Sequence, residues 1–123
     1  KGTKVASQQT VDHIKDLMDQ VVNAGDRTGT DFHLDGYDII GKTGTAQIAN
    51  EKGGGYLSGK EDIISSFSGI YPKNNPQIII YASVKRPQNG SQKPLTTVLH
   101  DVVANISKSN FIYPCFRNTL TLV

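Results

Sequence analysis

Apolar residues in the first quarter of the chain recur at helical spacing. Val11, Ile14, Met18, Val21 and Val22, with Leu17 beside them, predict an amphipathic helix. Ser7 is the candidate N-cap, and Gly25 the candidate stop. Residues from Asp26 to Asp38 mix Gly, Thr and Asp, a loop composition. The period then changes to that of strands, predicted over Ile39 to Ala49, Ile63 to Tyr71 and Gln77 to Lys85. The run Ile78 to Ala82 is continuously apolar, which predicts a central strand. Gly53, Gly54, Gly55 and Gly59 mark a flexible connection, and Pro72 to Pro76 a short turn, so the strands are expected to be antiparallel neighbours. A second helix is predicted from near Pro94, burying Leu95, Val98, Leu99, Val102, Val103 and Ile106.

The expected fold is therefore α/β of the α+β kind, an antiparallel sheet flanked by helices. Residues 107–123 do not share this order. Phe111, Ile112, Tyr113, Cys115 and Phe116 surround Pro114 without periodicity, the character of a divergent tail or of translation from a disrupted reading frame.

Composition narrows the function classes. The 123 residues suit one small domain, and 37% hydrophobic with 20% charged residues is ordinary for a globular chain. The net charge of +2 comes from intermixed signs, so neither nucleic acid nor an anionic membrane is an expected partner. Cys115 is the sole cysteine, which excludes an internal disulfide. No apolar run approaches the roughly 20 residues of a membrane helix, so any membrane attachment is expected in segments other than this one. His13, His33 and His100 are scattered, with no metal-ligand spacing, so neither metal nor cofactor is expected. His13 and His100 read as helix-surface residues, and Asp12, Asp16 and Asp19 as a solvated helix face.

The chemistry concentrates in Gly41 to Gln47, GKTGTAQ, on the first predicted strand. Strand alternation places Thr43, Thr45 and Gln47 on one face and Lys42 and Gly44 on the other. An ammonium beside two hydroxyls suits a carboxylate, and Gly44 allows close approach of an extended peptide. Gly36 to Thr43 also spells the phosphate-loop pattern G-x-x-x-x-G-K-[ST], the alternative being a nucleotide-binding protein. That reading requires a long helix after Thr43, whereas Gly44 and Gly53 to Gly55 interrupt one. Asp26 to Thr30, DRTGT, approaches an aspartyl-phosphate motif but follows a helix end, and reads as a polar turn.

Lys-Thr-Gly is a signature of penicillin-binding proteins and serine β-lactamases, alongside Ser-x-x-Lys and Ser-Asp-Asn. The run GKTGTAQIANEKGGGYLSG, with Gly69 to Pro72 and Ile78 to Val84, is similar to class B penicillin-binding proteins, over roughly Lys4 to Ile106. The resemblance implies that residues 1–106 are the C-terminal portion of a peptidoglycan D,D-transpeptidase domain of the β-lactamase-like fold. It also implies that Lys42 tunes proton transfer and that Thr43 and Thr45 bind the carboxylate of a stem peptide or a β-lactam. Gly44 and Gln47 would complete the binding strand, and the Thr45 N–H would be an oxyanion-hole donor. The implied partners are peptidoglycan stem peptides, β-lactams and division proteins, at the outer face of the bacterial cell membrane. No Ser-x-x-Lys and no Ser-x-Asn occurs in the chain. The isolated chain is accordingly expected to be inactive, supplying substrate contacts without a nucleophile. A noncatalytic structural fragment with an exposed sheet edge is the third reading, since a lost upstream half would leave apolar surfaces without partners.

Overall fold

The computed structural model describes residues 2–108. Helix α1, Gln8–Asn23, is followed by strands β1 (Ile40–Gln47), β2 (Ile63–Tyr71) and β3 (Ile78–Lys85) and by helix α2, Lys93–Lys108. The elements are those the periodicity predicts. The tail reading mostly falls outside the described residues, although α2 itself continues through Ser107 and Lys108. Ser7 caps α1, its hydroxyl accepting from the Thr10 N–H at 3.1 Å. The helix ends where Gly25 enters the left-handed region at φ 60°.

The sheet is antiparallel, in the order β1-β2-β3. The middle place therefore belongs to β2, and β3 lies at an edge among the described residues, contrary to the expectation from its apolar run. The burial of β3 gives the reason. Ile78, Ile80 and Ala82 pack toward the main core, while Ile79 is 82% and Tyr81 69% exposed on the other face. A second set of apolar residues is present without anything described to cover it.

The core lies between the sheet and α2. Phe67, Tyr71 and Ile39 meet Leu95, Leu99 and Val103 there, joined by Val22 from α1 and by Phe32 from a short 3₁₀ turn, Thr30–Phe32. The rings of Phe32 and Phe67 stack with centroids 4.2 Å apart. Val98 and Val102, expected to be buried, are exposed. One line of α2, spaced by four residues, faces the sheet, and these two valines stand on the adjacent line. His100 is half-buried rather than on the surface, and its Nε2 is buried without a hydrogen-bond partner among the described residues.

Helix α1 crosses β1 on the opposite face of the sheet, and much of its apolar stripe stays open. Val11, Ile14 and Leu17 are exposed. Polar contacts contribute to its placement. Lys73, in the β2–β3 turn, reaches Asp19 at 2.8 Å and Asp16 at 3.3 Å. These aspartates are thus engaged in a tertiary ion pair, not merely solvated as the charge pattern suggested, while Asp12 accepts from Gln8 within the helix. Burial alone raises the Asp19 pKa, but hydrogen bonds from Lys73 and Asn23, with the Lys73 charge, outweigh it and hold the carboxyl below its ordinary value. The hydrogen bond to Asp19 outweighs desolvation at Lys73 and raises its pKa.

A depressed carboxyl pKa favours the folded state above the unfolded pKa, and that contribution disappears as pH falls through the folded value. Lys73→Met should therefore destabilise the chain at neutral pH by about 1 kcal/mol, an amount suited to a partly exposed pair. The difference from wild type should shrink below about pH 4. Urea unfolding at pH 7 and pH 3 checks both statements, and an equal difference at the two pH values would dismiss the ion pair as its source.

Candidate active-site strand

The sequence Lys42-Thr43-Gly44-Thr45 lies within β1, opposite Ser68, Phe67, Ser66 and Ser65 of β2. No helix follows Thr43, since the next element is β2. The phosphate-loop reading fails on this geometry, because its N-terminal helix dipole and amide nest do not exist here. The DRTGT segment ends in the 3₁₀ turn and follows α1, as a polar loop does.

Backbone direction gives β1 its chemical character. Just beyond the strand, the Ile48 N–H donates to the Asp62 carbonyl at 3.0 Å. Antiparallel pairs alternate between hydrogen-bonded and open positions. By that alternation Lys42, Gly44 and Ala46 turn their amides and carbonyls toward β2, whereas Thr43, Thr45 and Gln47 turn theirs outward. That outward side has no strand partner among the described residues. Edge groups of this kind accept an added extended peptide.

The side chains divide as alternation predicts. Lys42 and Gly44 share one face with Ser66 and Ser68, and Thr43 and Thr45 share the other with Phe67 and Ser65. What reunites them is the edge. The Lys42 ammonium curls back to donate to the Thr43 carbonyl at 2.8 Å and to Thr43 Oγ1 at 3.4 Å. Its stem lines a cleft of about 570 Å³ with Ile14, Leu17, Met18, Val21 and Arg27. Thr45 and Gln47 are exposed along the same strand.

Neighbouring hydroxyls differ in accessibility. Ser65 is fully buried, with its Oγ lacking a hydrogen-bond partner among the described residues, and so does not line the edge. Ser66 Oγ donates to the Gly44 carbonyl at 3.4 Å. A Cβ on Gly44 would lie 2.7 Å from that Oγ, so the glycine leaves room for Ser66. Thr28 enters the sequence reading only as part of the polar DRTGT turn, yet its hydroxyl accepts from Thr43 Oγ1 at 3.3 Å. The separation of 15 residues hides this contact from any local pattern. His33 contacts Asn23 and Asp35 instead of approaching the strand. Among the described residues, no group of three or more His, Cys, Asp or Glu side chains could hold a metal ion, and no helix is long and apolar enough to cross a membrane.

An antiparallel sheet with flanking helices and an edge Lys-Thr-Gly-Thr is the arrangement expected of a penicillin-binding protein domain from that motif. The chain belongs to the penicillin-binding protein transpeptidase domain family, whose model matches residues 1–104. It is 41% identical over 85 residues to the peptidoglycan D,D-transpeptidase FtsI homolog of Mesostigma viride, covering 69% of this chain and 13% of that protein. It is 35% identical over 107 residues to stage V sporulation protein D of Bacillus subtilis, covering 87% of this chain and 16% of that one. Among solved structures it resembles the transpeptidase domain of Burkholderia pseudomallei penicillin-binding protein 3. The TM-score is 0.76 and the identity 27%, over 94% of this chain and 34% of the other. Penicillin-binding protein 3 of Mycobacterium tuberculosis complexed with aztreonam matches with TM-score 0.69 and 28% identity, over 87% of this chain and 26% of that one. The chain thus spans a small part of each relative's length.

Proposed function

We propose that β1 is the substrate-binding strand of a D,D-transpeptidase, holding the carboxylate of a peptidoglycan stem peptide or of a β-lactam. The observation that carries this reading is the shared edge. The outward backbone groups of Thr43, Thr45 and Gln47 lie on the side to which the Lys42 ammonium bends. In this assignment Lys42 supplies charge, and the Thr43 and Thr45 hydroxyls supply directed donors. Gly44 keeps the strand slim for a peptide lying alongside, and Gln47 extends the contact. The outward Thr45 N–H is one oxyanion-hole donor, an interaction worth roughly 10²- to 10³-fold in rate.

In the complete enzyme a serine oxygen would attack the penultimate D-alanine carbonyl, release the terminal D-alanine, and pass the acyl group to an amine of a second stem peptide. That reaction would take place at the outer face of the cell membrane, with division proteins as neighbours. Residues 1–106 would be the C-terminal part of its catalytic domain. This chain contributes contacts to that reaction and no nucleophile.

Titration with N-acetyl-D-alanyl-D-alanine, followed by amide NMR shifts, tests the binding assignment. Residues 43–47 should respond with an affinity on the order of millimolar. The corresponding C-terminal carboxamide should leave them unmoved. Lys42→Met should weaken binding about tenfold, as expected for loss of a charge-assisted hydrogen bond. Equal binding of acid and amide would defeat the carboxylate assignment.

A further inference from the structure

We propose that Thr28 is a positioning residue for the substrate strand, orienting the Thr43 hydroxyl toward an incoming carboxylate; this rests on the carboxylate reading of β1. Thr28 belongs to the loop joining α1 to β1, and its hydroxyl lies 3.3 Å from Thr43 Oγ1. Thr43 Oγ1 therefore stands between two polar partners, with the Lys42 ammonium at 3.4 Å. Both separations are long for hydrogen bonds. Such contacts in a ligand-free site commonly tighten only when the ligand arrives.

The loop is built to hold Thr28 in place. On its N-terminal side, the Arg27 N–H donates to Thr30 Oγ1 at 3.1 Å, and Thr30 Oγ1 donates back to the Arg27 carbonyl at 2.9 Å. On its C-terminal side, Gly29 presses against α1 so closely that a Cβ would lie 2.9 Å from the Val21 carbonyl oxygen. Phe32, three residues further along the turn, is fully buried and stacked on Phe67. Thr28 itself is exposed and packs into no core. A rigid mount with an exposed hydroxyl at its tip fits a polar task better than a packing one.

The hydroxyl chemistry supplies that task. Without ligand, Thr43 donates its proton to Thr28. To bind a carboxylate, Thr43 must redirect that proton to the ligand, and the side of its oxygen turned toward Thr28 can then accept a second donor beside the Lys42 ammonium. Thr28 provides one by rotating its own O–H, giving the sequence Thr28 O–H to Thr43 Oγ1, and Thr43 O–H to carboxylate. Successive hydrogen bonds polarise one another, and the last of these is charge-assisted.

The test compares the wild-type chain with Thr28→Val, Thr28→Ala and Thr28→Ser. Three-bond scalar couplings report the χ1 populations of Thr43 without ligand, and titration with N-acetyl-D-alanyl-D-alanine reports affinity. Both hydroxyl-free variants should spread Thr43 over further rotamers and bind the dipeptide about threefold to tenfold more weakly, the range for one hydrogen bond. Thr28→Ser should retain wild-type behaviour in both measurements. Unchanged Thr43 rotamers in Thr28→Val and Thr28→Ala would overturn the proposal. So would undiminished affinity. A wild-type chain that ignores the dipeptide would instead overturn the carboxylate reading, with the χ1 comparison still deciding the role of Thr28.

Discussion

Gly41→Ala is expected to destabilise the chain by about 3 kcal/mol, the upper range for overpacking a core. A Cβ at Gly41 would lie 2.2 Å from Phe67 Cζ, 2.7 Å from its Cε2 and 2.7 Å from the Ser68 carbonyl oxygen. The ring has little freedom to retreat. Phe32 stacks on it at 4.2 Å, and a Cβ at Gly69 would meet Phe67 Cε1 at 2.6 Å, so the ring fills the space that two glycines leave open. The Ser68 carbonyl is backbone of the paired neighbour strand, so moving it disturbs the sheet. Gly53→Ala is the control, because the nearest atom to its added Cβ is 3.5 Å away. Urea denaturation should separate the two variants clearly, and similar midpoints would contradict this packing. Adding Phe67→Leu should recover part of the Gly41→Ala loss, a coupling that a double-mutant cycle measures.

Exposure of this chain to a fluorescent penicillin is expected to give no stable covalent label. A complete transpeptidase of the same family, treated in parallel, should be labelled. Acylation requires a hydroxyl made nucleophilic by an adjacent base and aimed at the carbonyl. The chain has neither Ser-x-x-Lys nor Ser-x-Asn to supply that pair. The Lys42 ammonium contacts the Thr43 hydroxyl as a donor at 3.4 Å, which does not make that hydroxyl a nucleophile. A binding strand without a nucleophile lowers no acylation barrier. Labelling that survives denaturing electrophoresis and maps to a serine or threonine would refute this division of labour.

The penicillin experiment and the dipeptide titration separate two properties that an intact transpeptidase combines. Binding at β1 without labelling is the joint outcome expected. It would assign carboxylate recognition to Lys42 and the outward edge alone, and leave bond breaking to groups elsewhere in the family's domain.

Much of this was present in the order of residues. The helical recurrence of Val11, Ile14, Met18 and Val21, the Ser7 cap and the strand periods depend on nearest neighbours along the chain, so the elements could be read directly. Lys42-Thr43-Gly44-Thr45 is equally local, a pattern of four consecutive residues on an extended backbone. Coverage and company are different in kind. That Ile79 and Tyr81 remain exposed, and that β2 takes the middle of the sheet, depends on which surfaces meet across the fold. Lys73 finds Asp16 and Asp19, and Thr28 finds Thr43, only because turns and loops return distant segments to α1 and to β1. Periodicity specifies which residues share a face. Only tertiary packing decides what that face touches, because the partner is chosen by chain geometry over separations that no local pattern records.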